Sequence, residues 1–115
     1  MLLLNGCGRS RDASGEVAPR DPREAASRLQ RVFENAAPEV HQNAGIAGEA
    51  MRKGDYQRAV LALQGIRSGT NITLEQGLAI HYSVVAMEGK ILNAMEAGDE
   101  KARGAYELLK ELKRK

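Results

Sequence analysis

A chain of 115 residues and 12.5 kDa, 43% hydrophobic and 28% charged, has room for one soluble domain and no more. Four aromatic residues (Phe33, Tyr56, Tyr82, Tyr106) and no Trp leave no stock of flat rings for stacking bases or a flavin, and a formal charge of +2 is too even to steer nucleic acid. With one Cys and two His, neither an internal disulfide nor a structural zinc site can be built.

The N-terminus reads Met1-Leu2-Leu3-Leu4-Asn5-Gly6-Cys7-Gly8, an apolar run with a small residue directly before the sole cysteine. Leu4-Asn5-Gly6-Cys7 resembles the bacterial lipobox, which implies that Cys7 carries acyl chains and becomes the new N-terminus. Anchoring of that kind needs no membrane helix, because each buried methylene of an acyl chain contributes about 0.8 kcal/mol. A secretory signal needs a basic start and an apolar stretch of about 7–15 residues. Six residues precede Cys7, so the expectation is a signal that begins upstream of Met1. The other reading is a frayed terminus in which three leucines meet by chance. Gly8 to Arg20 holds one large aliphatic residue among small and charged ones and is expected to stay a disordered tether. Residues 1–20 are thus read as anchor and tether, and 21–115 as the folded domain.

Asp21-Pro22-Arg23-Glu24 predicts a helix start, with Asp as N-cap, Pro at the first helical position and Glu at the third. Ala25, Leu29, Val32, Phe33 and Ala36 then form one apolar stripe at helical spacing. Pro38 closes that helix and opens the next, which carries Val40, Ala44, Ala47 and Met51 on one face, Ile46 and Ala50 beside it, and Gly54 as C-terminal cap. Gly45 and Gly48 each cost up to about 1 kcal/mol of helix propensity, which predicts a neighbouring element pressed against them. Asp55 caps a third helix with Tyr56, Ala59, Val60, Leu63 and Ile66 on its apolar side, and Ser68-Gly69 ends it.

Thr73-Leu74-Glu75-Gln76 is a capping box, and no Pro follows it. A long helix is expected from Leu74 to Ala97, about 36 Å. Leu78, Tyr82, Val85, Leu92 and Met95 line one face and Ile80, Val84, Met87 and Ile91 a second, so the helix is expected to be central and buried over most of its circumference. Gly98-Asp99 repeats the stop and restart of Gly54-Asp55. A last helix from Glu100 points Ala102, Ala105, Leu109 and Leu112 inward and ends on cations that suit a helix C-terminus.

The stretch Ile46-Ala47-Gly48-Glu49-Ala50-Met51-Arg52-Lys53-Gly54-Asp55-Tyr56-Gln57-Arg58-Ala59 resembles the middle of a tetratricopeptide repeat, two antiparallel helices about a Gly-Asp-Tyr-x-x-Ala turn. Ala50 replaces the family's usual Tyr, and the second copy at Gly98 is degenerate. The fold class is therefore read as all-α: stacked tetratricopeptide-like hairpins, or a small bundle of four or five helices. The resemblance implies a peptide groove along His41, Ala44, Gly48 and Met51. The competing and preferred expectation is that the first helix covers those residues.

No nucleophile motif, phosphate-binding glycine loop or His-Glu-x-x-His pattern is present, so no catalytic residue, cofactor or metal is assigned. His41 and His81 are read as capping or core-edge residues, and Met51, Met87 and Met95 as core filler. Asn71-Ile72-Thr73 matches a glycosylation acceptor but is read as chance, since Thr73 serves as a helix cap. The Lys-Arg-Lys terminus is read as a solvated helix end that pairs with Glu107 and Glu111. The resulting expectation is a non-enzymatic bacterial lipoprotein of the cell envelope that binds an unidentified protein, with the membrane reached through its lipid alone. The alternatives are a cytoplasmic helical adaptor or oligomerisation module, and a small helix-turn-helix DNA binder.

Overall fold

The computed structural model describes residues 21–68 and 71–114, which form five helices. They are α1 (Pro22–Val32), α2 (Pro38–Lys53), α3 (Tyr56–Ser68), α4 (Leu74–Glu96) and α5 (Glu100–Arg114). The protein is all-α, as its hydrophobic periods predict, and no strand occurs among the described residues.

Local chemistry sets the boundaries. The Asp21 carboxylate accepts from the Arg23 backbone N–H at 2.9 Å and opens α1. Both halves of the capping box at α4 are made: the Gln76 N–H donates to Thr73 Oγ1, and the Thr73 N–H donates to the Gln76 side chain, each at 3.1 Å. Gly54 and Gly98 stop α2 and α4 in the left-handed region (φ 81° and 91°), a conformation that disfavours any residue with a Cβ. Each is followed by an aspartate whose carboxylate accepts from the next helix's first turn, Asp55 from Arg58 and Asp99 from Lys101 and Ala102. Helix α1 ends at Val32, before the last two members of the predicted stripe, Phe33 and Ala36, and Phe33 serves as its C-cap while remaining buried.

The helices pack in a closed ring. Helix α2 lies against α1 and α3, α5 against α3, and α4 closes the circle between α5 and α1, with only a light touch across the middle to α3. One layer therefore holds α1, α4 and α5, with α4 in the middle, and the other holds α2 and α3. Eleven of the 23 buried apolar residues are alanines. Small side chains bring helix axes close but remove little apolar surface per residue, so the larger residues Leu29, Phe33, Met51, Leu63, Met87, Ile91 and Leu109 carry most of the core.

Two seams share one device. Gln30 of α1 stands on Gly48 of α2 and donates to the Gly45 carbonyl, while Arg52 donates to the Gln30 Oε1 at 2.8 Å. Gln57 of α3 stands on Gly104 of α5 in the same way and donates to the Lys101 carbonyl at 3.1 Å. A Cβ at either glycine would overlap the glutamine above it. The pressure predicted on Gly48 is present, whereas around Gly45 a Cβ would meet open space and the residue contributes its carbonyl. Gln64 and Arg67 extend the α3–α5 seam by donating to the carbonyls of Leu108 and Leu112.

Helix α4 departs from the expected burial. Its line Ile80, Val84, Met87 and Ile91 is buried, joined by Ala79, Ser83 and Ala86. The second line points to solvent: Leu78, Val85 and Leu92 are 39%, 47% and 41% exposed, and Leu74 is 81% exposed. The reason is geometric. A helix flanked by two neighbours in a layer, with a thin contact behind, has close to half of its circumference uncovered.

Candidate functional site

Of the residues singled out from sequence, Cys7 lies outside the described residues. The four groove positions do not form an open groove. Ala44, Gly48 and Met51 are buried, Gly48 beneath Gln30 of α1, and intramolecular packing takes up the space that a peptide would need. His41 alone among them is exposed, its Nδ1 3.3 Å from the Phe33 carbonyl, where it bridges the α1–α2 corner. Met51 and Met87 are buried and Met95 half-buried, so all three belong to the packing. Among the described residues, no three His, Cys, Asp or Glu side chains gather where an ion could be held, and no helix is long and apolar enough to cross a membrane.

At the C-terminal end of α5, Lys110 pairs with Glu107 and Arg114 with Glu111, three residues apart. Lys113 reaches instead across to Glu88 of α4, Nζ to Oε2 at 3.0 Å. That pair borders a cleft of about 540 Å³ between the ends of α3 and α5 and the start of α4, with Ile72, Ile80 and Val84 as floor and Arg67, His81 and Lys113 as rim. The Arg67 Nη1 donates to the Leu112 carbonyl at 2.9 Å. Arg67 and Lys113 on the rim thus serve the fold.

The outer face of α4 is a better candidate. Leu78, Val85 and Leu92 recur every seven residues and fall within about 20° of one line along the helix. Tyr82 and Gly89 lie on the side of this line nearer α1, and His81 and Glu88 on the side nearer α5. Arg28 of α1 caps the half-buried Tyr82 ring, its guanidinium carbon 4.9 Å from the ring centroid, and Lys113 of α5 holds Glu88. A Cβ at Gly89 would meet nothing within 4 Å, so packing inside the protein gives no reason for a glycine there. Sequence periodicity found the residues of this face but assigned them to the core. The missing signal was which neighbours α4 has.

The chain matches no known family model, no curated protein and no solved structure. The geometry of α4 therefore stands alone as the basis for a functional reading.

Proposed function

We propose that the domain is a non-catalytic protein-binding module whose contact surface is the outer face of α4, and that its partner presents an amphipathic helix. The observation that carries this reading is the heptad line Leu78, Val85, Leu92 left in water while alanine takes close to half of the buried apolar positions. Exposed apolar residues are ordinary when scattered. A continuous line of them on one helix, bounded by polar groups, has the form of a helix-docking surface.

The lipobox-like Leu4-Asn5-Gly6-Cys7 supports an anchored form of the same module, in which acylated Cys7 holds the helices at a bacterial envelope surface. A photoreactive residue in place of Val85, activated in living cells, is expected to give a discrete protein adduct, and the same residue at exposed Arg103 on α5 none. Absence of any adduct from Val85 overturns the binding reading. Fatty-acid labelling and membrane fractionation of wild type and Cys7→Ala test the anchor separately: unlabelled wild-type protein recovered in the cytosol leaves the cytoplasmic adaptor as the account of the chain.

A further inference from the structure

Resting on that reading, we infer that the partner helix is α4 of a second copy of this chain, paired antiparallel about a twofold axis that passes through Val85. Helix geometry places the residues. With 3.6 residues per turn and 1.5 Å rise, a twofold axis perpendicular to α4 at Val85 sets Leu78 of one copy against Leu92 of the other. It sets Val85 against its own counterpart. The operation keeps the two flanks separate, so the flank nearer α1 meets the same flank of the second copy, and Tyr82 falls over Gly89. On the other flank His81 falls beside Glu88.

Each of these pairings is complementary. Aliphatic side chains meet aliphatic side chains along the centre, a ring meets the one position of the face that has no side chain, and an imidazole meets a carboxylate already oriented by Lys113. The open space above Gly89 acquires a purpose in this arrangement. Leu74 falls opposite Glu96 and is the mismatched position. A parallel pair would exchange the flanks, setting Tyr82 against His81 and Gly89 against Glu88, so that the ring loses the open position and the carboxylate loses its imidazole. A bilayer is a poorer occupant, because Glu75, Glu88 and Glu96 border the line and would face lipid headgroups.

The line from Leu78 to Leu92 runs about 21 Å, and with its flanks it buries less than the roughly 800 Å² per partner of a standard interface. Self-association is accordingly weak, with a dissociation constant on the order of 10–100 µM.

The test uses the full chain with Cys7→Ser, so that introduced thiols are the only ones. In sedimentation equilibrium the average mass is expected to rise from 12.5 kDa toward twice that value as concentration passes through this range. Gly89→Arg and Leu92→Lys, both on the solvent face, are expected to abolish the rise while leaving helicity intact and the melting temperature undiminished. Under mild oxidation Val85→Cys is expected to form a disulfide with itself, since residues on the axis can approach within the 4.4–6.8 Å Cα separation a disulfide needs. Leu78→Cys is expected to cross-link only when mixed with Leu92→Cys. A chain that stays monomeric to about 1 mM, an undiminished dimer in Gly89→Arg, or Leu78→Cys that cross-links to itself as fast as Val85→Cys overturns the inference. The mass of the Val85 photoadduct separates the two readings: an adduct with a different protein, together with a monomeric chain, ends self-pairing and leaves the α4 surface standing, whereas no adduct ends both.

Discussion

The two faces of α4 have nearly equal hydrophobicity and opposite fates. The inner face carries Ile80, Val84, Met87 and Ile91, the outer Leu74, Leu78, Val85 and Leu92, and only the first is buried. Apolar character alone therefore does not decide burial. The number of neighbouring helices does: α1 and α5 cover the flanks of α4, α3 reaches it lightly from behind, and nothing else among the described residues covers the front. The contrast sharpens when set beside the rest of the protein, where alanine fills close to half of the buried apolar positions. Leucine and valine at solvent, with alanine inside, is the reverse of what folding alone favours.

Truncation tests the contrast most directly. Met87→Ala removes a fully buried side chain and leaves a cavity, and is expected to cost about 2–5 kcal/mol. Val85→Ala, two residues away on the outer face, is expected to stay within about 0.5 kcal/mol when urea unfolding is measured on dilute, monomeric protein. Equal losses at the two positions would mean that the outer face is packed against something in the isolated chain, and the division between the faces would fall.

Glycine substitutions give a second, smaller test with opposite signs. Gly54→Ala forces a Cβ into the left-handed cap of α2 and is expected to destabilise by about 1 kcal/mol. Gly89→Ala places a Cβ in open space on a regular helix and is expected to stabilise the monomer by about 0.8–1 kcal/mol. A gain of that size, available from a single methyl group, is what marks Gly89 as held for a reason other than folding. Thermal melts of the two variants read both signs in one experiment.

Helix starts and stops were legible in the sequence because short-range chemistry writes them. Asp21-Pro22, Thr73 with Gln76, and the two Gly-Asp turns each act within one turn of helix, and each lies where the residue pattern places it. The inward line of α5, Ala102, Ala105, Leu109 and Leu112, was legible for a related reason: only one of its faces is apolar. Helix α4 has two, and periodicity cannot choose between them without the packing partners. The groove positions meet the same limit, since His41, Ala44, Gly48 and Met51 lie on one helix face whether α1 covers them, the preferred expectation, or not. The glutamine-on-glycine contacts depend on residues 18 and 47 positions apart (Gln30 with Gly48, Gln57 with Gly104), and no local rule connects such pairs.

The smallest expected effect lies at Tyr56, the half-buried first residue of α3. Burial raises the phenol pKa above its ordinary value of 10.0, and the carboxylate of Asp21 raises it further, against a smaller opposing influence from Arg23. The folded chain therefore holds the Tyr56 proton to higher pH than the unfolded chain does. Its contribution to stability is fully present below pH 10 and is lost as pH rises through the folded-state value, because the unfolded state releases its proton first. Melting temperature is expected to fall above about pH 10, and less steeply in Tyr56→Phe, which has no phenol to ionise. Asp21→Asn, which removes the charge while keeping an N-cap acceptor, is expected to reduce the slope in part and leave the share that comes from burial. Identical slopes in wild type and Tyr56→Phe would mean that the phenol is as hydrated in the folded chain as in the unfolded one.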